Sequence, residues 1–129
     1  MKLAQARLVT NDVPALARFY EELLGVAPIG SEDYVELRVP GSTLAISSKR
    51  SVDLFSAGAA HPAANHSVIL DFQVKDVDVE RSRLRELIGE FVLEPIDQPW
   101  GTRSMMFRDP DGNLINFFAP IVSKRENAN

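Results

Sequence analysis

Residues 108–118 read RDPDGNLINFF, which is the strongest local signal in the chain. Its DPDG segment, residues 109–112, has the composition of a tight turn. Proline fixes φ at one corner, the aspartates can bond back to the backbone, and glycine accepts a conformation that a β-carbon resists. The flanking segments, residues 103–107 and 114–118, both read as strands. The stretch therefore predicts a β-hairpin late in the chain.

The composition limits the kinds of partner. The 129 residues are 45% hydrophobic and 25% charged, which is typical of one globular domain. A net charge of −4 argues against nucleic acid or a membrane as the main partner. The chain has no cysteine, which excludes disulfides, thiolate metal sites and cysteine nucleophiles. No apolar run reaches spanning length and no signal segment is evident, so we expect a soluble cytoplasmic protein.

The first half of the chain predicts a strand, a helix and three further strands. Residues 3–9 form the first strand. Asn11 or Asp12 caps the following helix, whose apolar residues recur at helical spacing, and Gly25 ends it. The three later strands are expected near residues 27–29, 34–39 and 43–47.

The middle of the chain, residues 49–65, shows no clear pattern and is predicted to be a connecting loop. It is rich in alanine, serine and glycine, so it is either a linker or a loop over a binding site. After it, residues 68–74 predict a strand and residues 92–94 a short one. Between these strands we expect a helix with an apolar face made of Leu84, Leu87, Ile88 and Phe91.

The second half repeats the first. Asp76 stands 64 positions after Asp12, and Gly89 stands 64 positions after Gly25. A single βαβββ unit cannot cover both faces of its sheet, so two must combine. The predicted fold class is therefore α+β: two tandem βαβββ modules that form a curved mixed sheet with a cleft. Within one domain, residues 1–129, the modules span about residues 3–48 and 66–119, and residues 120–129 form a polar tail.

Two motifs give this pattern a family resemblance. Phe-Tyr lies on the first helix, which ends in Leu-Leu-Gly, and Asp-Pro-Asp-Gly-Asn forms the last hairpin turn. With the tandem modules, these motifs resemble the vicinal oxygen chelate superfamily, which includes glyoxalase I, extradiol dioxygenases, fosfomycin-resistance proteins and bleomycin-binding proteins. The resemblance covers residues 3–119. It implies the fold more strongly than an activity, because the fold hosts many functions.

The resemblance also implies positions for a divalent metal. Enzymes of the superfamily bind the ion with His, Glu or Gln side chains from the first and last strands of each module. The corresponding positions here are Gln5, Ala45, Ile69 and Asn116. Two neutral amides and two hydrocarbon side chains are a poor set for a divalent cation. We therefore predict no metal at these positions and no cofactor.

The remaining candidates suggest a ligand site, although each has a plainer structural interpretation. Trp100 can cover the edge of the core, and Arg103 can be a surface charge of the hairpin. Asp71 lies in the middle of a strand and would need Arg7 or Arg103 beside it to act as a buried base. The predicted ligand-binding residues are Gln5, Arg7, Trp100, Arg103, Met105, Phe107, Asn116 and Phe118.

Two functions of different classes follow from these features. The favoured function is a glyoxalase/bleomycin-resistance-like protein that binds or sequesters a small aromatic or amphipathic molecule in a metal-free cleft. The alternative is a diverged lyase, isomerase or dioxygenase with metal ligands in unfamiliar places, such as His61 or His66. Beyond the small-molecule ligand, we expect the partner to be a second copy of the chain in a homodimer.

Overall fold

The computed structural model describes residues 1–121, so most of the predicted polar tail lies outside the described residues. The first group of elements is β1 (Ala6–Thr10), α1 (Val13–Leu24), β2 (Ile29–Gly30), β3 (Tyr34–Val39), β4 (Ser42–Ser48) and α2 (Lys49–Ser56). The second group is β5 (Ile69–Gln73), α3 (Val77–Arg83), β6 (Phe91–Asp97), β7 (Thr102–Arg108) and β8 (Leu114–Pro120). None of the described helices is long and apolar enough to cross a membrane.

The described chain divides into two compact units. Unit 1 consists of Met1–His66 together with the hairpin turn Asp109–Gly112. Its four-stranded sheet has the order β1-β4-β3-β2, and only the β1–β4 pairing is parallel. Helix α1 packs against β3 and β4. The core of unit 1 therefore lies between α1 and one face of this sheet, and includes Leu16, Tyr20, Leu23, Leu37, Leu44 and Ile46.

Unit 2 consists of Ser67–Arg108 and the described residues from 113 onward. Its sheet has the order β5-β8-β7-β6, again with a single parallel pairing, between β5 and β8. Helix α3 packs against β6, β7 and β8. The buried side of this sheet holds an aromatic cluster, in which the ring of Phe107 meets Phe91 and Phe117 edge to face.

The predicted repeat and fold class are confirmed. Asp12 caps α1 by accepting from the Ala15 amide at 3.0 Å, and Asp76 caps α3 by accepting from the Val79 amide at 3.0 Å. Gly25 ends α1 in the left-handed conformation, with φ of 69°. In each unit, the strand before the capped helix pairs in parallel with the last strand of the sheet. The two units are thus α+β structures built on the same βαβββ plan.

The connecting segment contains a helix that the sequence did not predict. Helix α2 begins directly after β4, where the Ser48 hydroxyl accepts from the Ser51 amide at 3.0 Å. Lys49 and Asp53 form an ion pair one turn apart along the helix. A cap and an ion pair stabilise this short helix without any buried residue, so a search for apolar periodicity misses it.

The helix of the second module is shorter than predicted. It ends at Arg83, and Phe91 belongs to β6 instead of the helix. The Phe91 ring contacts Phe107 on one side and carries the Arg81 guanidinium 3.9 Å above its centre. Strand β6 also extends beyond the predicted residues 92–94 and runs through Pro95. The β6–β7 pairing is irregular between Leu93 and Ile96, and such irregular edge positions tolerate proline.

Candidate functional site

The pairing of β8 with its two neighbours places three side chains in one row. Asp71 on β5 lies opposite Asn116 on β8, and Asn116 lies opposite Met106 on β7. Side chains alternate between the two faces of a strand, so this row lies on the face opposite the buried one. We call this side of the unit 2 sheet the Asn116 face. It contains Ile69, Asp71, Met106, Leu114, Asn116 and Phe118.

The amide of Asn116 is oriented by its neighbour. Its Nδ2 donates to Asp71 Oδ1 at 2.9 Å. A carboxylate can only accept hydrogen bonds, so the NH₂ end of the amide must face Asp71. The Oδ1 atom of Asn116 therefore points elsewhere. It is shielded from solvent, and it has no hydrogen-bond partner within residues 1–121.

Apolar side chains surround this polar pair. Met106, Leu114 and Phe118 are half-buried, and Ile69 is 45% exposed. The arrangement combines an apolar surface with an oriented carboxylate and amide. Such a combination is typical of small-molecule sites, where a few polar groups fix the orientation of a ligand held on apolar surface.

In unit 1, the predicted residue Gln5 begins a chain of hydrogen bonds, and the predicted residue Arg7 lies in the same cross-strand row as Glu36, with Ala45 between them. The Gln5 amide donates to the Tyr34 hydroxyl at 3.1 Å, and that hydroxyl donates to Glu36 Oε2 at 2.8 Å. Arg38 donates to the other carboxylate oxygen at 2.9 Å. The hydrogen bonds from Tyr34 and then Arg38 lower the pKa of Glu36 below its ordinary value. The chain therefore ends in an ionised carboxylate.

Four residues predicted to bind a ligand lie elsewhere in unit 2. Met105 and Phe107 are completely buried on the helix-covered side of the sheet, which agrees with the plainer interpretation that they are core residues. Arg103 shares that side by alternation and bonds Asp78 at 2.7 Å and Asp97 at 3.0 Å, instead of joining Asn116. Trp100 lies in the turn between β6 and β7 and is 72% exposed.

The positions that the superfamily uses for a divalent metal do not fit one here. Ala45 and Ile69 carry no donor atom, and Ala45 is fully buried. The amide nitrogens of Gln5 and Asn116 are held by Tyr34 and Asp71. Across residues 1–121, no group of three or more His, Cys, Asp or Glu side chains is arranged to hold a metal ion. The alternative ligands His61 and His66 therefore belong to no such group among these residues.

A cavity of about 580 Å³ lies in unit 1, away from the predicted ligand residues. It is bounded by the end of β1 and the N-terminal ends of α1 and α2. Arg50 donates to Asp33 at 2.6 Å, and the pKa of Asp33 is lowered by hydrogen bonds from Arg50 and Ser48. Lys49 and Arg50 are both held in ion pairs by lining carboxylates, and the four carboxylates Asp12, Glu32, Asp33 and Asp53 outnumber these two cations.

The sequence interpretation missed the partner of Asp71. It considered Arg7 and Arg103, whereas the structure pairs Asp71 with Asn116. A signal was present in the repeat, because Asp71 stands 64 positions after Arg7, and Ala45 and Asn116 each stand four positions after a turn glycine, Gly41 and Gly112. The structure places Arg7 opposite Ala45 and Asp71 opposite Asn116, so the matched residues occupy the same place in the two sheets.

Comparison with known proteins identifies the family. The model of the Glyoxalase/Bleomycin resistance protein/Dioxygenase superfamily matches residues 2–117. The chain is 31% identical over 125 residues to "Uncharacterized protein YraH" of Bacillus subtilis (strain 168), with 92% of this chain and 98% of that protein covered.

Solved structures agree with this match. A glyoxalase/bleomycin resistance protein/dioxygenase from Nocardioides is 25% identical, with a TM-score of 0.78 over 94% of this chain and 84% of that one. A glyoxalase/bleomycin resistance protein/dioxygenase family enzyme from Burkholderia phytofirmans PsJN has a TM-score of 0.81, over 94% of this chain and all of that one. Its identity is 16%, so this similarity supports the fold alone. The chain belongs to the Glyoxalase/Bleomycin resistance protein/Dioxygenase superfamily.

Proposed function

We propose that the protein binds a small aromatic or amphipathic molecule on the Asn116 face, without a metal ion. The observation that carries this proposal is the Oδ1 atom of Asn116, a buried acceptor without a partner among residues 1–121. A buried polar atom left unpaired costs roughly 1–3 kcal/mol. A ligand that donates a hydrogen bond to this atom removes that cost.

The neighbouring side chains support an apolar body for the ligand. Met106 stands at the β7 end of the row that contains Asp71 and Asn116. Phe118 on β8 and Ile69 on β5 lie beside this row on the same face. An aromatic ring placed there buries apolar area, while the amide fixes its orientation. The poor donor set at the superfamily's metal positions favours binding over metal-dependent catalysis.

Phe118→Ala is expected to weaken the binding of a neutral aromatic probe, 2-naphthylmethanol, by about 1–2 kcal/mol. Phe118 is half-buried, so truncation removes part of the roughly 1.5–3 kcal/mol that a fully buried phenyl group contributes. Isothermal titration calorimetry measures the change. The matched control is Val79→Ala, which shortens an exposed apolar residue on α3. Equal affinities for wild type and Phe118→Ala would contradict the proposed surface.

We also propose that the protein forms a homodimer. Closed two-fold dimers are the commonest assemblies of soluble chains, and the two βαβββ modules can in principle pair within or between subunits. Light scattering at micromolar concentration is expected to show a species of twice the 14.3 kDa chain mass. A particle of one chain mass across that range would rule the dimer out.

A further inference from the structure

We infer that the end of the ligand recognised on the Asn116 face is a cationic hydrogen-bond donor, of the alkylammonium or amidinium class. This inference rests on the proposed function and adds the chemical class of the ligand. It follows from the acceptor pair, which we define as Asp71 and Asn116, because together they present oxygen atoms and no free donor.

The acceptor pair leaves only hydrogen-bond acceptors for a ligand. Asp71 uses one carboxylate oxygen to accept from Asn116 and is itself exposed, so its second oxygen is open to a ligand. Asn116 has committed its NH₂ group to that bond, and only its Oδ1 atom is left. A ligand carbonyl or carboxylate placed here would face acceptors and a negative charge. A group with several N–H donors could satisfy both residues at once.

The nearest cationic side chain on the same face lies too far away to reverse this preference. Arg108 lies opposite Leu114, one row from Asn116 and two strands from Asp71. Standard strand spacing and rise separate the backbones of Arg108 and Asp71 by roughly 12 Å. An ammonium group bound to Asp71 would touch that carboxylate directly, whereas the exposed Arg108 acts through solvent that screens charge over about 8 Å, so the attraction by Asp71 dominates.

Access to Asn116 Oδ1 requires a neighbouring side chain to move. Met106 lies directly across from Asn116 and is half-buried. Methionine is unbranched and changes rotamer readily, so it can give way to a ligand more easily than an aromatic or β-branched residue. The exposed carboxylate of Asp71 can bind the cationic group first. Once Met106 has moved aside, the amide oxygen of Asn116 can accept a second N–H from the same cationic group.

The test uses three probes that share one ring: 2-naphthylmethylamine, 2-naphthylmethanol and 2-naphthoate. Calorimetry at neutral pH is expected to give the amine a dissociation constant at least tenfold lower than that of the alcohol. The carboxylate is expected to bind most weakly of the three. Asp71→Asn keeps the shape of the side chain and removes its charge. This variant is expected to bind the amine about tenfold more weakly than wild type does, while its affinity for the alcohol stays within twofold of the wild-type value. Glu86→Gln removes an exposed charge elsewhere in unit 2 and should change neither.

The possible outcomes separate this inference from the proposed function. Saturable binding of all three probes with similar affinity would overturn the inference and leave the proposed function standing. A preference for the carboxylate would also overturn it. If none of the three probes binds, both fail together. An amine preference that persists unchanged in Asp71→Asn would show that the cation is recognised elsewhere, and would reject the acceptor pair.

Discussion

Tyr20→Phe is expected to lower the free energy of unfolding by about 1.5–3 kcal/mol, the range for a hydrogen bond to a charged group. The Tyr20 hydroxyl donates to Asp109 Oδ2 at 2.6 Å, and both residues are buried within unit 1. Asp109 also holds the hairpin turn by accepting from the Asp111 amide at 2.9 Å. Removing the hydroxyl therefore leaves a buried carboxylate short of a donor at the turn that the sequence marks most strongly.

Urea unfolding measures this loss, and a second tyrosine provides the control. The Tyr34 hydroxyl donates to Glu36 in a part-buried position, so water can partly replace the bond and Tyr34→Phe is expected to cost clearly less than Tyr20→Phe. If Tyr20→Phe were as stable as wild type, the buried hydrogen bond would contribute nothing to the free energy of unfolding. That result would contradict the prediction that Tyr20 stabilises the turn.

The same hydrogen bond predicts a dependence on alkaline pH. Burial, followed by the negative charge of Asp109, raises the pKa of Tyr20 far above its ordinary value of 10.0. Below pH 10, the folded and unfolded chains both keep the proton. Above it, the unfolded chain loses the proton and the folded chain retains it, so stability falls as pH rises. The stability gap between wild type and Tyr20→Phe should therefore narrow above pH 10.

Gly30→Ala is expected to destabilise unit 1 by roughly 2–4 kcal/mol, from overpacking and backbone strain together. Gly30 has φ of +144°, which residues with a side chain rarely adopt. A β-carbon there would lie 2.1 Å from the backbone oxygen of Tyr34, which already accepts from the Ser31 amide at 2.8 Å. Because the obstacle is backbone, it cannot move aside as a flexible side chain would.

Gly89→Ala is the matched control for Gly30→Ala. No atom lies within 4 Å of the position that its β-carbon would take, and its φ is outside the positive range. Its substitution should change the midpoint of thermal unfolding far less than Gly30→Ala does. Similar midpoints for the two variants would contradict the predicted clash at β2.

Much of the fold could be predicted because strong local signals coincide with the repeat. Asp12, Asp76 and Gly25 are cap residues whose chemistry identifies helix ends without tertiary information. The DPDG turn fixes the β7–β8 hairpin in the same way. Helix α2 could not be predicted, because its Ser48 cap and ion pair stabilise a helix that buries no residue.

The site was harder to predict because the decisive strands are apolar on both faces. Met105 and Met106 are neighbours, as are Phe117 and Phe118, so no alternation of polar and apolar residues indicates which face is inward. Register settles the question. Asn116 pairs with Met106, which leaves Met105 on the buried side. For the same reason Arg103 faces Asp78 on α3 and Asp97 on β6.

Binding of a small molecule on the Asn116 face, the claim on which the proposed function rests, can be measured by a nuclear magnetic resonance titration of the ¹⁵N-labelled protein with 2-naphthylmethanol. The side-chain NH₂ signals of Asn116 and the backbone amide signals of β8 are expected to shift together and to saturate. Signals from the unit 1 cavity, such as the Ser48 and Lys49 amides, should stay in place. Saturable shifts confined to that cavity, or no saturable shift at Asn116, would contradict the claim.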